Sequence, residues 1–466
     1  LVVLGGTLLA RPGRAVHSLA LALVLVILSD SGAVLSPGFW LSFVAVAIIY
    51  MQQVRQPAAR GLRGALYQVV RLQLALSLGL LPFTLLFFGQ SGWVAPLANL
   101  FAVPWTSLLL VPLLFAALLC LYPLPWLAQW LFIAAGWAAS WMLEVLRWLA
   151  QLPGAVVGMP EVPPAVTLAA MLGVALLLLP RGTPQRWLGA LLVVPLLAWT
   201  APRPAPGTAW FTLLDVGQGL AAVVQTARHT LVYDTGPRFS AGFDTGSAVV
   251  APFLAARGIR RVDMLVVSHA DNDHSGGARA LDRLLPIHHV LTSVPQQMGW
   301  RRSRRCQAGQ QWNWDGVTFR MLHPDAVAGV AENDASCVLQ IRTADGTRLL
   351  LPGDVEAAAE RRLVARYGMA LRSEILVAPH HGSRTSSTPA FAAAVAPEYV
   401  LFPVGYRNRY GFPNPRVQER YRSLGSRLLA TAETGAVQFR LGETRVPLPE
   451  RARVRRYWDA AVPPAR

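Results

Sequence analysis

Four side chains that could bind a metal ion lie close together in segment 268–277, which we call the metal loop. They are His269, Asp271, Asp273 and His274. The preceding segment 262–267 is mostly apolar and predicts a buried strand. The four side chains would therefore follow the carboxyl end of a strand, where α/β folds place their chemistry. A single such residue is usually structural, but this spacing predicts a metal site.

Two later segments read as apolar strands that end in further possible ligands. Segment 349–353 leads to Asp354, and segment 375–379 leads to the adjacent residues His380 and His381. The sequence therefore predicts candidate ligands at the ends of three strands.

The metal loop resembles the His-x-His-x-Asp-His signature of the metallo-β-lactamase superfamily, with Asp271 in place of the middle histidine. Segments 211–219 and 231–236 are similar to the opening strands of that fold. The resemblance implies an α/β domain, an αββα sandwich, with a site for two divalent metal ions. It also implies that Asp354 bridges the ions and that Asp234 orients the metal loop without binding metal.

The resemblance implies a ligand set for each ion. The first ion would be bound by His269, Asp271 and Asp354. The second ion would be bound by Asp273, His274, Asp354 and a late histidine, either His380 or His381, of which we take His380 first. Asp273 and Asp354 are the expected catalytic carboxylates, and Asp273 is also the expected proton acceptor.

The superfamily usually has another histidine just before the strand that carries the bridging aspartate. In this chain segment 332–336 stands at that place and contains no histidine. His323 lies too early in the chain, so we interpret it as structural, and Asn333 or Asp334 could assist the first ion instead. Since carboxylates suit manganese or magnesium better than imidazoles do, we expect manganese, with zinc or magnesium as alternatives. The expected substrate-binding residues are Asn333, Ser336, Ser383, Arg384, Arg407, Asn408 and Tyr410.

The first 206 residues have a different composition, with three acidic residues and apolar runs of bilayer length. A soluble helical core would need charged helix faces, so we predict a polytopic α-helical membrane domain. Arg71 and Asn99 are polar residues within predicted spans and indicate a pore lining or a helix interface. The predicted spans are 15–35, 38–54, 64–88, 99–119, 124–148, 165–180 and 186–200, and residues 2–10 could end a further helix.

Arginine placement predicts the orientation of this membrane domain. The arginines between spans fall on one side, which the positive-inside rule makes cytoplasmic. They are Arg11, Arg14, Arg55, Arg60, Arg63, Arg181 and Arg186. The last helix then exits outward, and the metal domain is expected outside the cytoplasm, at the inner membrane of the cell. A re-entrant path for residues 92–102, or a count of spans that is wrong by one, would weaken this assignment.

Motifs in both halves resemble ComEC-type competence DNA-uptake channels. The motifs lie at 36–43, 88–90 and 95–104 in the membrane half, and at 214–219, 268–277, 351–354, 380–383 and 408–413 in the second half. The resemblance implies a channel for single-stranded DNA with a metal-dependent nuclease that degrades the strand that is not imported. Because the chain begins at Leu1, we expect it to lack the amino-terminal part of the family.

The resemblance and the composition predict four consecutive regions. Residues 1–201 would be a competence-type transmembrane domain of about seven helices, and 202–209 a linker rich in proline. Residues 210–446 would be the metallo-β-lactamase-like domain, and 447–466 a basic tail.

The charge of the chain indicates a polyanionic partner. The net charge is +17, and residues 207–466 hold 32 arginines against 22 acidic residues. Basic surfaces attract phosphate backbones, and aromatic rings stack on unpaired bases. Such rings lie among the arginines at Trp300, Trp312, Trp314, Tyr406 and Tyr410. The expected partners are single-stranded DNA, the membrane and other competence proteins, without a small organic cofactor, although a solvated basic face and core aromatics remain alternative interpretations.

Two other functions stay open from the sequence. The metal domain could bind DNA without cutting it, because a histidine is missing and Phe412 stands where the family has another histidine. Alternatively, the chain could be a membrane-anchored hydrolase of another ester. The three cysteines, Cys120, Cys306 and Cys337, are isolated in the sequence and predict no disulfide framework.

Overall fold

The chain divides into two units, Leu1–Ala201 and Pro202–Arg466. The structure, a computed structural model, describes residues 15–53, 61–179, 182–300, 302–325 and 332–454. Several sequence predictions lie outside these residues: the helix end at 2–10, the orienting residues Arg11, Arg14, Arg55, Arg60 and Arg181, and the end of the basic tail at 455–466.

The first unit is helical, and each predicted span coincides with a helix. The helices are α1 (Ala15–Ser29), α2 (Pro37–Gln53), α3 (Gly61–Phe88), α4 (Ala95–Cys120), α5 (Pro125–Ala150), α6 (Pro164–Leu177) and α7 (Leu188–Leu197). Among the described residues, Arg63–Phe88 of α3 and the whole of α4 are long and apolar enough to cross a membrane. The predicted helical character of this half is confirmed.

Polar residues in this unit connect helices or face outward. Arg71 of α3 donates a hydrogen bond from Nη2 to Oε1 of Gln52 on α2, at 3.0 Å, so it lies at a helix interface. Asn99 is exposed on α4. Segment 92–102 runs from β1 (Gln90–Gly92), which pairs with β2 (Val156–Gly158), into α4.

The second unit contains two large sheets packed face to face. The first has the strand order β10-β9-β8-β5-β4-β3-β18-β19, and the second has the order β11-β12-β13-β14-β15-β16-β17. The strands of the first sheet are β3 (Ala209–Leu213), β4 (Ala222–Gln225), β5 (Thr230–Tyr233), β8 (Val262–Val267), β9 (Ile287–Thr292), β10 (Ser303–Arg305), β18 (Val437–Leu441) and β19 (Thr444–Pro449). Those of the second are β11 (Gln311–Trp314), β12 (Val317–His323), β13 (Val338–Arg342), β14 (Arg348–Leu351), β15 (Ile375–Val377), β16 (Tyr399–Phe402) and β17 (Arg427–Ala430).

Helices cover the outer faces of both sheets. The core between the sheets contains side chains from each, including Phe211 and Phe439 of the first and Phe319 and Leu351 of the second. Helices on the first sheet are α8 (Ala251–Ala256), α10 (Ala278–Leu284) and α11 (Pro295–Met298), while the short helix α9 (Asn272–Ser275) lies within the metal loop. Helices on the second are α12 (Ala357–Tyr367), α13 (Pro389–Val395) and α14 (Pro415–Ser423). This arrangement confirms the predicted αββα sandwich.

The prediction that no disulfide forms is wrong. Cys306, which follows β10, bonds to Cys337, which precedes β13, with their Cα atoms 5.9 Å apart. The bond therefore joins the first sheet to the second. The sequence does not reveal their proximity, because the two cysteines are 31 positions apart and only the packing of the sheets brings them together.

Candidate metal centre

The predicted ligands lie at one edge of the sandwich, where parallel strands from both sheets end. In the first sheet, β5 and β8 run parallel and lead to Asp234 and the metal loop. In the second sheet, β14 and β15 run parallel and lead to Asp354 and to His380–His381. Because neighbouring parallel strands end on the same side, the folding of each sheet brings its ligands together.

Five side chains form what we call the metal cluster: His269, Asp273, His274, Asp354 and His381. Nε2 of His274 lies 3.1 Å from Oδ1 of Asp354 and 3.1 Å from Nε2 of His381. Nε2 of His381 in turn lies 3.3 Å from Oδ2 of Asp273 and 3.4 Å from Oδ2 of Asp354.

The hydrogen bonds around the cluster leave lone pairs facing one another. Nδ1 of His381 donates to the carbonyl oxygen of Pro403 at 2.9 Å, and Nδ1 of His274 donates to Oδ2 of Asp234 at 2.8 Å. The neutral forms of both rings therefore direct the lone pair of Nε2 into the cluster, only 3.1 Å apart. A cation between them would remove this repulsion.

His269 gives a second indication of a cation site. Its Nδ1 lies 3.0 Å from Oγ of Ser268, and Ser268 itself donates to Oδ2 of Asp234 at 2.7 Å. Nε2 of His269 is buried without a hydrogen-bond partner, and the nearest carboxylate oxygen, on Asp271, is 3.4 Å away in poor geometry. Since an unpaired buried polar atom costs free energy, the donor set fits a bound divalent ion.

The charges of the cluster shift its pKa values strongly. Burial lowers the pKa of His274, but Asp354 and Asp234 raise it well above its usual value. Burial likewise lowers the pKa of His381, while Asp354 and Asp273 raise it to about 9. Burial raises the pKa of Asp354, but His274 and His381 hold it well below its usual value. Protons on His274 and His381 thus supply positive charge that offsets the negative charge of the carboxylates.

Asp234 and Ser268 hold the metal loop in position. Asp234 is fully buried; its Oδ1 accepts a hydrogen bond from the backbone N–H of Ser268 at 2.7 Å, and its Oδ2 faces His274. This is the orienting geometry that the sequence predicts for Asp234. Sequence reasoning missed Ser268, whose only signal was its position directly before His269.

Gly219 lets a neighbouring loop approach the metal loop. Its φ of +138° is unfavourable for other residues, and a Cβ there would collide with the carbonyl oxygen of Asp273. The same carbonyl accepts a hydrogen bond from the N–H of Leu220 at 3.0 Å. The loop thereby supports the backbone that carries Asp273.

The structure corrects the choice between the two late histidines. His380 points Nδ1 at Oε1 of Glu356, at 3.1 Å, and its Nε2 is 3.8 Å from Asp354. His381 is the member that converges with the cluster. Asp271 is also less central than predicted, because its side chain is about half exposed and its carboxylate lies 3.4 Å from Nε2 of His269.

Residues of segment 332–336, where the superfamily has another histidine, have structural roles that the sequence did not predict. Oδ1 of Asp334 accepts hydrogen bonds from the N–H groups of Glu356 and Ala359 at the start of α12, so Asp334 is not a ligand. Asn333 points Nδ2 at Glu356, 3.4 Å away. Nε2 of His323 lies 2.7 Å from the carbonyl oxygen of Asp334, which fits its structural interpretation.

Three of the expected substrate-binding residues are engaged by the protein itself. Ser336 is fully buried and accepts from the N–H of Asp354 at 3.2 Å, while Ser383 is buried beside Thr385. Asn408 braces its own loop through both backbone groups of Phe412. The polar groups of these residues therefore already have partners within the protein. Arg384, Arg407 and Tyr410 are exposed, and Arg384 follows the late histidines closely in sequence.

The expected path of aromatic residues is also shorter than predicted. Trp312 and Trp314 pack against the core between the sheets, and Trp300 packs against the core of the first sheet. Arg302 pairs with Asp282. The exposed rings among those five are Tyr406 and Tyr410, each with an arginine over its face.

The two units correspond to two known families. Residues 1–184 match the family described as "Competence protein", and residues 214–405 match the "Metallo-beta-lactamase superfamily". The chain therefore combines a competence-protein domain with a metallo-beta-lactamase domain. This predicted pair of domains and the predicted fold class are thereby confirmed.

Several relatives are similar along most of this chain. Competence protein ComA of Neisseria gonorrhoeae is 38% identical over 440 residues, which is 94% of this chain and 60% of that protein. The uncharacterized protein YcaI of Escherichia coli (strain K12) is 30% identical over 89% of this chain and 54% of that protein. ComE operon protein 3 of Bacillus subtilis (strain 168) is 25% identical over 94% of this chain and 60% of that protein. The chain thus spans little more than half the length of these curated relatives.

Among solved structures, Igni18, a metallo hydrolase from Ignicoccus hospitalis KIN4/I, aligns with 49% of this chain and 98% of its own, at 16% identity and a TM-score of 0.34.

Proposed function

We propose that this protein acts in DNA uptake during natural transformation. The second unit (Pro202–Arg466), which we call the soluble unit, would act as a metal-dependent nuclease, and the first unit (Leu1–Ala201), which we call the helical unit, would be the path of the imported single strand. The observation that carries the nuclease proposal is the convergence of His274 and His381 on Asp354, with the Nε2 atoms of both rings directed inward. The match to the competence family supports the role in DNA uptake.

The cluster offers donors for two divalent ions. Asp273, His274, His381 and Asp354 would hold one, and His269, Asp271 and Asp354 would hold the other. When bound, such ions acidify water and offset the charge that develops on an attacked phosphodiester. Carboxylate oxygens are about as numerous as imidazoles in this set, so manganese remains our proposal, and zinc or magnesium would also find ligands here.

The side chains of the cluster divide the remaining tasks. Asp354 is almost fully buried, whereas the side chain of Asp273 is about one third exposed and can be reached by water. Burial raises the pKa of Asp273, but its bond to His381 and the charges of His274 and His381 together lower it below its usual value, so the carboxylate stays ionised at neutral pH and can accept a proton. Exposed Arg384 and Arg407 supply positive charge for the phosphate backbone.

The nuclease proposal is tested on the full chain in detergent, with a single-stranded oligonucleotide and each of manganese, magnesium and zinc added separately. We expect metal-dependent cleavage that Asp273→Asn abolishes. The matched control is Glu419→Gln, which changes an exposed carboxylate on α14 and should cleave at the wild-type rate. Equal cleavage by Asp273→Asn and the control would refute the assignment.

A second candidate function is DNA binding without cleavage. The first ion position favours it, because Ser336 stands in the segment where the superfamily has an imidazole and Asp271 is half exposed. Under this candidate, titration would detect one tightly bound ion per chain instead of two, and oligonucleotides would bind but remain intact.

We also propose that the protein spans the inner membrane several times and that the soluble unit lies outside the cytoplasm. The disulfide Cys306–Cys337 supports this orientation, because such bonds persist in oxidising compartments. A reporter that is active only outside the cytoplasm should be active when fused after Pro206 and inactive when fused between 181 and 186. The reverse pattern would contradict the proposed orientation.

A further inference from the structure

Two exposed phenylalanines lie on a short hairpin formed by β6 (Arg238–Ser240) and β7 (Phe243–Asp244). Phe239 and Phe243 are 60% and 53% exposed, and their rings stack with centroids 5.5 Å apart at an interplanar angle of 25°. Leaving two aromatic rings in water forfeits hydrophobic free energy. An exposed apolar pair of this kind indicates a surface for a ligand.

The hairpin is attached directly to the metal loop. Oδ1 of Asn272 accepts from the N–H of Arg238 at 3.3 Å, and Nδ2 of Asn272 donates to the carbonyl oxygen of Arg238 at 3.1 Å. Asn272 stands between Asp271 and Asp273. The guanidinium of Arg238 donates to the carbonyl oxygens of Ser240 and Ala241 across the turn, so the hairpin is braced.

A second aromatic pair lies on the side of the other sheet. The ring of Tyr410, 53% exposed, stacks on Phe412 at 5.6 Å and 18°, and Phe412 stacks on His381 at 6.4 Å and 18°. Arg409 lies over the face of Tyr410 and donates to its hydroxyl. One pair is thus fixed to the metal loop of the first sheet, and the other packs on a cluster histidine of the second.

We propose that these two aromatic pairs are stacking subsites for the unpaired bases on either side of the scissile phosphate. The inference rests on the proposed nuclease function and names how that site selects its substrate. Bases of a duplex are already stacked on their neighbours, whereas unpaired bases gain by stacking on aromatic rings whatever their sequence. The subsites therefore favour single strands over duplexes without reading a sequence.

The position of the rings favours bases over the lipid surface as the occupant. Both pairs are linked by direct contacts to residues of the metal cluster or its loop, and the domain has an excess of arginine that complements a phosphate backbone. A contact with lipid would need no such continuity with the cluster.

The test compares two oligonucleotides of equal length and charge, one of normal thymidines and one of abasic residues. Binding to the full chain in detergent is measured in a chelator, so that no strand is cut. The double variant Phe239→Ala/Phe243→Ala should bind the normal strand roughly 5- to 150-fold more weakly and the abasic strand unchanged. Phe239→Tyr/Phe243→Tyr should restore binding, and Met369→Ala, at another exposed apolar residue, should change neither affinity.

Two results would overturn the inference. An equal loss of affinity for both oligonucleotides would mean that the hairpin contacts the phosphate backbone or supports the fold. No loss of affinity for either would mean that the hairpin does not bind DNA and would favour a contact with lipid. Failure of the nuclease proposal is recognised separately, because it would appear as absent cleavage by the wild-type chain with metal while base-dependent binding persists.

Discussion

Two regions of the soluble unit bring a histidine and an aspartate within 3.1 Å of each other, yet they differ in what surrounds the pair. In the metal cluster, Asp354 lies between His274 and His381. At the turn between β11 and β12, Asp315 lies against His229. Both carboxylates are almost inaccessible, with side chains 5% and 2% exposed.

The oxygens of Asp315 are saturated with donors. They accept from the hydroxyl of Thr226 at 2.7 Å, and from the backbone N–H and Nε of Arg228 at 2.8 and 2.9 Å. Burial raises the pKa of Asp315, but these bonds hold it well below its usual value. In the metal cluster, by contrast, the Nε2 atoms of two imidazoles lie 3.1 Å apart and a third imidazole nitrogen has no hydrogen-bond partner. An excess of acceptors, rather than proximity, thus distinguishes an ion site from a structural ion pair.

The largest expected effect comes from the same substitution in both regions. Asp354→Asn should reduce metal-dependent cleavage by more than about 10²-fold, because even residues that only support metal ligands contribute that much. Asp315→Asn should leave cleavage within about twofold, since it removes charge from a saturated pair. Initial rates on a labelled single strand measure both. Similar cleavage rates for the two variants would contradict the claim that only the metal cluster binds a catalytic ion.

Metal should stabilise the protein only through the cluster. At a free manganese concentration of 100 times the dissociation constant, the stability of the soluble unit should rise by about 2.7 kcal/mol, and a chelator should reverse this. Asp354→Asn should lose the increment and Asp315→Asn should keep it. Urea denaturation of the full chain in detergent, followed by tryptophan fluorescence, measures the difference. An increment retained in Asp354→Asn would place the ion elsewhere.

Removing the support of the metal loop should have a smaller effect. Asp234→Asn keeps the shape of the side chain but weakens its bonds to His274 and Ser268, so metal affinity or cleavage should fall by about 10- to 100-fold. Metal titration and cleavage rates report both. Excess metal should restore part of the rate, which distinguishes misplaced ligands from lost ones; an unchanged affinity would contradict the orienting role.

The smallest expected effect is the pH dependence of the Asp315 pair. Because its folded pKa lies below the unfolded value of about 3.9, the pair stabilises the fold above that pH and loses its contribution as the pH falls further. Asp315→Asn should therefore destabilise the soluble unit by about 1 kcal/mol at neutral pH and progressively less below about pH 4. Urea midpoints of both proteins from pH 7 to pH 3 test this. A difference that grows in acid would mean the opposite sign of the pKa shift.

Most of the fold could be predicted from local sequence. The helices of the first unit follow apolar runs of bilayer length, and the strands that carry Asp234, Asp354 and the late histidines follow short apolar runs. The ligand-bearing segments were recognisable because a strand places chemistry at its carboxyl end. The structure also brings Asp273 and His274 into the cluster, as the metal loop predicted.

The remaining assignments depended on contacts between segments that are distant in the chain. The sequence offered both His380 and His381, and their backbone conformations, with φ of +48° and +55°, direct His380 to Glu356 and His381 into the cluster. In the same way, Asn408 is of a residue type that often binds substrates, but its side chain forms hydrogen bonds to the backbone of Phe412 in its own loop.

By itself, the sequence determined the two kinds of domain, the order of elements and the kinds of side chain at each strand end, because these are encoded in local residue patterns. Only the tertiary structure decided which of those side chains share an ion site, that Cys306 reaches Cys337, and that Phe239 and Phe243 flank the metal loop. The physical reason is that the cluster lies between two sheets. Its geometry depends on how the strand ends of the two sheets pack against each other, and local sequence patterns do not encode that packing.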